Sequence, residues 1–255
     1  MSTRTDTASS SYPTLALVHL YPCEMSVNGD FGNFLVLLKR MQWRGIPVEV
    51  TEYRPGDQFP SQTDLIVGGG PQITGASVVQ QDLLRHKDQL RACVESGTAA
   101  LLVGGSFQLF GNYVETPSKE RIEGLGIFDM YTTMGEQRFT GNAIATSELF
   151  GTIVGFENHS AKTYLSETQS SFVLMKSGAG NNGADKSEGA HYKHAIGSYL
   201  YGPLLPKNPT IADYLIARAL EHCLGRPVDP SELAPLPEID AHAAKAAAVA
   251  QTRPR

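Results

Sequence analysis

The chain has 255 residues, a formal net charge of −5, 41% hydrophobic and 18% charged residues, a balance that excludes wholesale disorder, collagen and coiled coil. It leaves room for one large α/β domain or two small ones and offers no basic stripe for a phosphate backbone, so nucleic acid is not an expected partner. The three cysteines, Cys23, Cys93 and Cys223, form neither a disulfide framework nor a C-x-x-C metal knuckle, so reduced thiols and a cytoplasmic setting are the default expectation.

Residues 1–12 are rich in Ser and Thr without an apolar stretch and read as a flexible lead-in rather than a signal peptide. Apolar runs such as 99–103 are strand-sized, so no membrane span is expected. The first strand is placed at 14–20, stopped by Pro22. A helix follows from Phe31, with Phe34, Leu35, Leu37, Leu38 and Met41 at helical spacing and Gly45 at the C-cap. Strands at 47–51 and 64–67 come next, the latter running into Gly68, Gly69 and Gly70, then one helix over 78–94 and a strand at 99–103. This alternation predicts a mostly parallel sheet with helices on both faces.

Beyond Gly111 shorter runs around 126–128, 149–156 and 171–175 suggest antiparallel or mixed strands folding over that sheet, and 176–189 reads as a surface loop. A late strand at 196–200 precedes the turn 206–209. Thr210, with Asp213 three residues on, resembles a capping box for a helix carrying Leu215, Ile216, Ala219 and Leu220. The domain proper is set at 13–225, followed over 226–255 by a Pro-rich connector and an Ala-rich helix or tail.

In open α/β sheets ligands sit at the carboxyl ends of strands, which directs attention to the loops after the first, third and fourth strands. The triple glycine at 68–70 can bring backbone N–H groups close to an oxygen. Gly104 and Gly105 follow an apolar strand and precede Ser106, Phe107 and Gln108, the sharp strand-to-helix turn that serves as a nucleophile elbow in hydrolases. At the apex, where a nucleophile belongs, stands glycine.

The order of these pieces resembles the GatD-type subunits of lipid II isoglutaminyl synthase, in the cobyric-acid-synthase branch of the glutamine amidotransferases. The resemblance runs from about Leu15 to Leu220. It is carried by Tyr21-Pro22, Gly29-Asp30-Phe31-Gly32-Asn33, Arg40 and Arg44-Gly45-Ile46, the Gly68 loop and the elbow at Gly104. Further along it continues through Glu123-Gly124-Leu125-Gly126, Arg138 within 137–141, Gly155-Phe156-Glu157-Asn158-His159 and Tyr199-Leu200-Tyr201-Gly202-Pro203. It implies a class I glutamine amidotransferase fold and release of ammonia from glutamine to a MurT-like Mur ligase subunit in a heterodimer. There the D-glutamate of lipid II is amidated, with ATP and Mg expected on the ligase and no cofactor in this chain.

The same resemblance places the family's nucleophilic Cys at Gly104 and its His at Tyr201. Glycine offers no nucleophile, and a phenol with a reference pKa of ~10 is a poor base at neutral pH. The reading is therefore a GatD-like subunit, a pseudoenzyme unable to hydrolyse glutamine itself. The open alternative is an active glutaminase subunit supplying ammonia through an unrecognised residue. Arg138 stands at the family's glutamine-binding arginine, and Gly69, Gly70 and Gly105 are taken as substrate-binding backbone, glutamine or a related small molecule being the expected ligand. Ser106 and His159 are the surviving candidates for a functional hydroxyl and imidazole, with helix capping and loop fixing as their structural roles. Cys93 reads as a small buried hydrophobe. Asp30 and Asn33 either shape the pocket floor or the ligase contact, or serve as turn and cap residues. His191 and His194 lack ligand-spaced Cys or carboxylate neighbours, so no metal is called. Further departures from the family are Ser26, Asn28 and the stretch Pro71-Gln72-Ile73-Thr74.

Overall fold

The computed structural model describes residues 12–70 and 76–253; residues 1–11 of the lead-in and the departure at 71–74 lie outside them. The first half comprises β1 (Leu15–Leu20), α1 (Phe31–Trp43), β2 (Val48–Tyr53), β3 (Leu65–Gly68), α2 (Ala76–Arg85), α3 (Lys87–Ser96), β4 (Ala99–Val103) and the short α4 (Gly105–Leu109). The second half adds β5 (Tyr113–Glu115), β6 (Arg121–Glu123), β7 (Met130–Ser147), β8 (Gly151–Leu165), β9 (Val173–Ser177), β10 (Ser187–Glu188) and β11 (Ala190–Tyr192). It closes with β12 (Ala195–Ser198), β13 (Leu200–Tyr201), α5 (Pro209–Leu224) and α6 (Pro237–Thr252).

The first sheet has the order β11-β12-β4-β3-β1-β2 and is parallel except for β11. Its central strands, Leu65–Gly68 and Ala99–Val103, are buried at every residue, which is why they read as continuous apolar runs rather than alternating ones. Helices α1 and α5 pack on each other, and α5 lies against β1, β3 and β4. Arg40 of α1 and Arg44 at its C-cap, both buried, converge on Asp213 of α5 with N···O distances of 2.7 and 2.8 Å, and Arg40 also reaches Asp240 of α6 at 2.7 Å.

The second sheet, β10-β9-β7-β5-β6 with β8 and β13 alongside, is built on the long antiparallel β7/β8 hairpin. The chain leaves the first sheet at Ser198 and enters the second at Leu200, so β13 crosses over the carboxyl end of β4. No described helix is long and apolar enough to cross a membrane.

Four local expectations are corrected. The single helix expected over 78–94 is two, broken at His86, whose φ of −105° and ψ of 14° are non-helical and whose ring packs edge-on against Tyr53. The strand expected at 126–128 is irregular chain whose N–H groups bond the Gly111 and Phe110 carbonyls. The surface loop expected at 176–189 is partly interior: Asn181 and Glu188 are fully buried, and the Glu157 carboxylate receives the Ala179 and Gly180 N–H groups at 2.7 and 2.6 Å. Thr210 does not cap α5. The helix starts at Pro209 after Asn208, whose amide is engaged with Val154 and Leu204, and Asp213 is spent on the two arginines.

Candidate functional site

The carboxyl ends of β1, β3, β4 and β12 bring the elbow at Gly104, the Gly68 loop and the start of α1 to one place, whereas Arg138 and His159 come from the second sheet. Gly104 occupies φ 62° and ψ −114°, a backbone conformation open essentially to glycine, and its N–H is tied to the Ser198 carbonyl at 2.9 Å. This is the sharp elbow the sequence predicts, with α4 beginning at the next residue. The ring of Tyr201 fills the space in front of it: a β-carbon on Gly104 would lie 2.9 Å from Tyr201 Cε1 and 3.0 Å from Cζ, and closer still to the phenolic oxygen. A side chain there requires Tyr201 to move.

The opposite wall is the Gly68 loop. Gly69 passes so close to Asp30 that an added β-carbon would stand 2.6 Å from Asp30 Cβ, and Gly70 donates its N–H to Asp30 Oδ2 at 2.8 Å. The other carboxylate oxygen, Oδ1, is buried without a partner among the described residues. Burial drives the Asp30 carboxyl up to about 7, against the opposing pull of the Gly70 N–H. Asp30 thus sits on the pocket wall and makes no side-chain cap bond to α1, while Asn33 accepts the Leu205 N–H at 3.0 Å and fixes the chain beyond Pro203. A β-carbon on Gly70 would lie 3.9 Å from both the Gly105 nitrogen and Tyr201 Cε1, so Gly70, Gly104, Gly105, Asp30 and Tyr201 share one small volume.

Ser106 does not enter that volume. Its hydroxyl donates to the Gly69 carbonyl at 2.8 Å, beside Met25 Sδ, and its N–H bonds the same carbonyl at 3.1 Å. The residue ties the elbow to the glycine loop and makes no side-chain helix cap. Cys93 is half-buried on α3 and lines a cleft that also contains Thr14, Ala16 and Asp64 from the amino ends of the strands, far from the elbow.

The second sheet supplies the roof. Tyr201 lies on β13 and is buried; desolvation, reinforced by Tyr199, Asp30 and Glu188, holds its phenol protonated well above the ordinary tyrosine range. Its hydroxyl has no hydrogen-bond partner among the described residues. Glu188 fixes the bend that leads to it, accepting the Tyr199 N–H at 2.6 Å and the Ser198 hydroxyl at 3.1 Å, and burial pushes its carboxyl up to about 8. Nothing in the sequence signals this role, because Glu188 sits in a stretch without periodicity. His159 is buried on β8, stacked on Tyr199 at 4.1 Å, with Nδ1 on the Ala161 carbonyl at 2.9 Å and Nε2 without a described partner. Burial lowers its pKa to about 4, so at neutral pH the ring is neutral and donates from Nδ1.

Arg138 lies on β7 and is exposed. Its Nε and Nη2 both donate to Asn158 Oδ1 at 2.9 and 2.7 Å, and Asn158 in turn donates to Asn28 at 3.1 Å. A neutral amide positions the guanidinium without cancelling its charge, which suits it to a carboxylate. His191 and His194 both approach the Tyr214 hydroxyl, at 3.4 and 3.2 Å, and among the described residues no three His, Cys, Asp or Glu side chains are placed to hold a metal ion.

Parallel strands, a sharp strand-to-helix elbow and a glycine loop facing it give the chain the α/β architecture of the glutamine amidotransferases. One solved structure described as a glutamine amidotransferase superposes with a TM-score of 0.57 over 79% of this chain and 98% of its own, at 16% identity. The CobB/CobQ-like glutamine amidotransferase domain matches residues 17–209, and the chain belongs to that family. It is 38% identical over 229 residues to the GatD subunit of lipid II isoglutaminyl synthase (glutamine-hydrolyzing) of Staphylococcus aureus, covering 89% of this chain and 93% of that one. To the GatD subunit of Streptococcus pneumoniae it is 35% identical over 86% of this chain and 85% of that one. A cobyric acid synthase of Azorhizobium caulinodans is 29% identical over 61% of this chain and 32% of its own length.

Proposed function

We propose that this chain is the amidotransferase-type subunit of a lipid II isoglutaminyl synthase, working with a MurT-like Mur ligase subunit, and that its own glutaminase site is closed. Similarity to two GatD subunits across nearly the whole chain supports the assignment to that complex. The closure rests on one observation: the Tyr201 ring occupies the volume a side chain on Gly104 would need.

Glutamine hydrolysis by this fold family's covalent route requires a thiolate to attack the side-chain carbonyl and a base to take the thiol proton and return it to the leaving ammonia. Gly104 has no atom to attack with. Tyr201, held protonated by its buried surroundings, is not a base at neutral pH. Ser106 faces the Gly69 carbonyl and His159 has no nucleophile beside it. The subunit then serves its partner as a docking scaffold, the ligase drawing on free ammonia, and Arg138 with Asn158 keeps a carboxylate-binding corner at the mouth.

The test measures ammonia release from glutamine, and covalent labelling by a glutamine-mimic diazoketone, for the purified chain alone and with a co-expressed Mur-ligase-type partner. No release and no label, together with a stable complex, is the expected outcome. A glutamyl or diazoketone adduct on any residue overturns the closure, and failure to form the complex overturns the assignment to the synthase.

A further inference from the structure

We propose that Ser96, His222 and Asp64 form a second, nucleophilic site at the opposite end of the first sheet, reactive toward small neutral acyl esters. It does not rest on the amidotransferase reading. The three residues come from the last position of α3, the last turn of α5 and the residue before β3, and they meet where the amino ends of β1, β3 and β4 are exposed. Their bonds run in series: Asp64 Oδ1 to His222 Nδ1 at 2.8 Å, then His222 Nε2 to Ser96 Oγ at 3.3 Å. The second Asp64 oxygen is fixed by the Ala16 N–H at 2.8 Å, so the carboxylate cannot swing away from the ring.

That order assigns roles. A carboxylate at Nδ1 holds the ring proton there and turns the Nε2 lone pair toward the hydroxyl, the tautomer a general base requires. Asp64 and His222 are shielded, their side chains 11% and 23% exposed, while Ser96 is open to solvent. Ser96 Oγ also lies 2.8 Å from the Cys93 carbonyl, and rotation of the O–H bond alone transfers its hydrogen bond from that carbonyl to Nε2.

The surroundings are those of a binding cleft. A cavity of about 630 Å³ is lined by Ser96, His222 and Asp64 together with Gln62, Thr63 and Gln89, and a second of about 250 Å³ reaches Ser96 and His222 from the other side. The Thr63 hydroxyl, on a residue of that lining, is buried without a hydrogen-bond partner among the described residues. Gln62 and Gln89 add carboxamides to the lining of the cleft, Gln89 donating to the Phe59 and Pro60 carbonyls at 3.5 and 3.4 Å. Glu49 and Asp64 on the same lining disfavour anionic substrates.

In the first step Ser96 Oγ bonds to the ester carbonyl carbon as its proton passes to His222 Nε2; the carbon–oxygen bond to the leaving alcohol then breaks and the alcohol takes that proton. Water attacks the acyl-serine by the same route in reverse, releasing the acid and restoring the hydroxyl.

The full-length chain is incubated with a fluorophosphonate probe, the labelled residue is mapped by mass spectrometry, and p-nitrophenyl acetate hydrolysis is followed alongside. Ser96 is expected to carry the label, with labelling and hydrolysis lost in Ser96→Ala and at least tenfold slower in a His222→Gln variant of unchanged circular dichroism. Absence of label on Ser96 in the folded wild type overturns the proposal. So does equal labelling of wild type and His222→Gln, which marks ordinary surface reactivity; if His222→Gln does not fold, Asp64→Asn replaces it with the same two readings.

Discussion

The Tyr201 ring and the Gly104 backbone are complementary: the aromatic carbons Cε1 and Cζ stand 2.9 and 3.0 Å from where a β-carbon at 104 would be. Either change alone creates a problem that the other removes. A side chain at the elbow collides with the tyrosine, and a smaller residue at 201 beside glycine leaves a hole in a buried region.

The first prediction follows from that pairing. Gly104→Cys alone combines overpacking against Tyr201 with a positive φ, and should lower stability by about 2–4 kcal/mol in urea denaturation. Adding Tyr201→His makes room and should recover most of that loss. Only the double variant is expected to react with a diazoketone glutamine mimic. Labelling of Gly104→Cys at the same rate as the double variant would show that the tyrosine does not block the elbow.

Asp30 gives a pH signature. Its carboxyl is raised to about 7 in the folded chain from an ordinary value of 3.8, so the folded state holds the proton more tightly than the unfolded one. The contribution to stability is full below about pH 4, declines as pH rises toward 7 and is gone above it. Asp30→Asn removes this decline: the variant should gain on wild type between pH 4 and pH 8 by up to about 4 kcal/mol, read from urea midpoints across that range. Parallel curves for the two proteins would contradict the assignment.

His159 acts in the opposite sense. With its folded pKa lowered to about 4 from 6.5, the unfolded state binds the extra proton first, so stability is present above pH 6.5 and lost as pH falls toward 4. His159→Phe keeps the stack on Tyr199 and should flatten the acid limb by roughly 3 kcal/mol, at the cost of about 1 kcal/mol near pH 7 for the Ala161 hydrogen bond. The residual acid loss is shared by His19, His191 and His194, whose imidazoles burial also shifts downward, and by carboxylates such as Asp213 that are held below their ordinary range.

The parts of this molecule that sequence exposes are those governed by local rules. Fully buried parallel strands appear as apolar runs ending in glycine, and the Gly104 turn and the α1 C-cap region at Gly45 are marked by residues suited to positive φ. Of the β7/β8 hairpin only the start of β8 shows in the sequence, as the apolar run at 149–156; the rest is obscured because the alternation is interrupted between Met134 and Phe139, where the register shifts. The break at His86 depends on aromatic neighbours from β2 and the following loop, and the burial of 179–182 depends on a carboxylate supplied by β8. At the site, the residue changes at 104 and 201 were legible one by one. That they fill a single volume is a fact of tertiary structure, as is the inward turn of Ser106 to Gly69.

Asp213 offers the sharpest contrast between a sequence role and a structural one. Placed like the acidic partner of a capping box, it instead accepts four hydrogen bonds from Arg40 and Arg44, whose side chains are 3% and 1% exposed. These two guanidiniums have been taken out of water, and their desolvation is offset largely by this one carboxylate, with Asp240 and the Ala234 carbonyl as further acceptors. Removing the charge in Asp213→Asn leaves two buried cations under-compensated and should cost about 3–5 kcal/mol. Asp240 is 37% exposed, and Asp240→Asn should cost at most about 1 kcal/mol because solvent screens the pair. Chemical denaturation of both variants checks the ranking: α1 and α5 are tied together by Asp213, whereas α6, which also packs on β7 and β8, gives up only a contact that water can replace, so Asp240→Asn should unfold at nearly the wild-type midpoint and Asp213→Asn well below it.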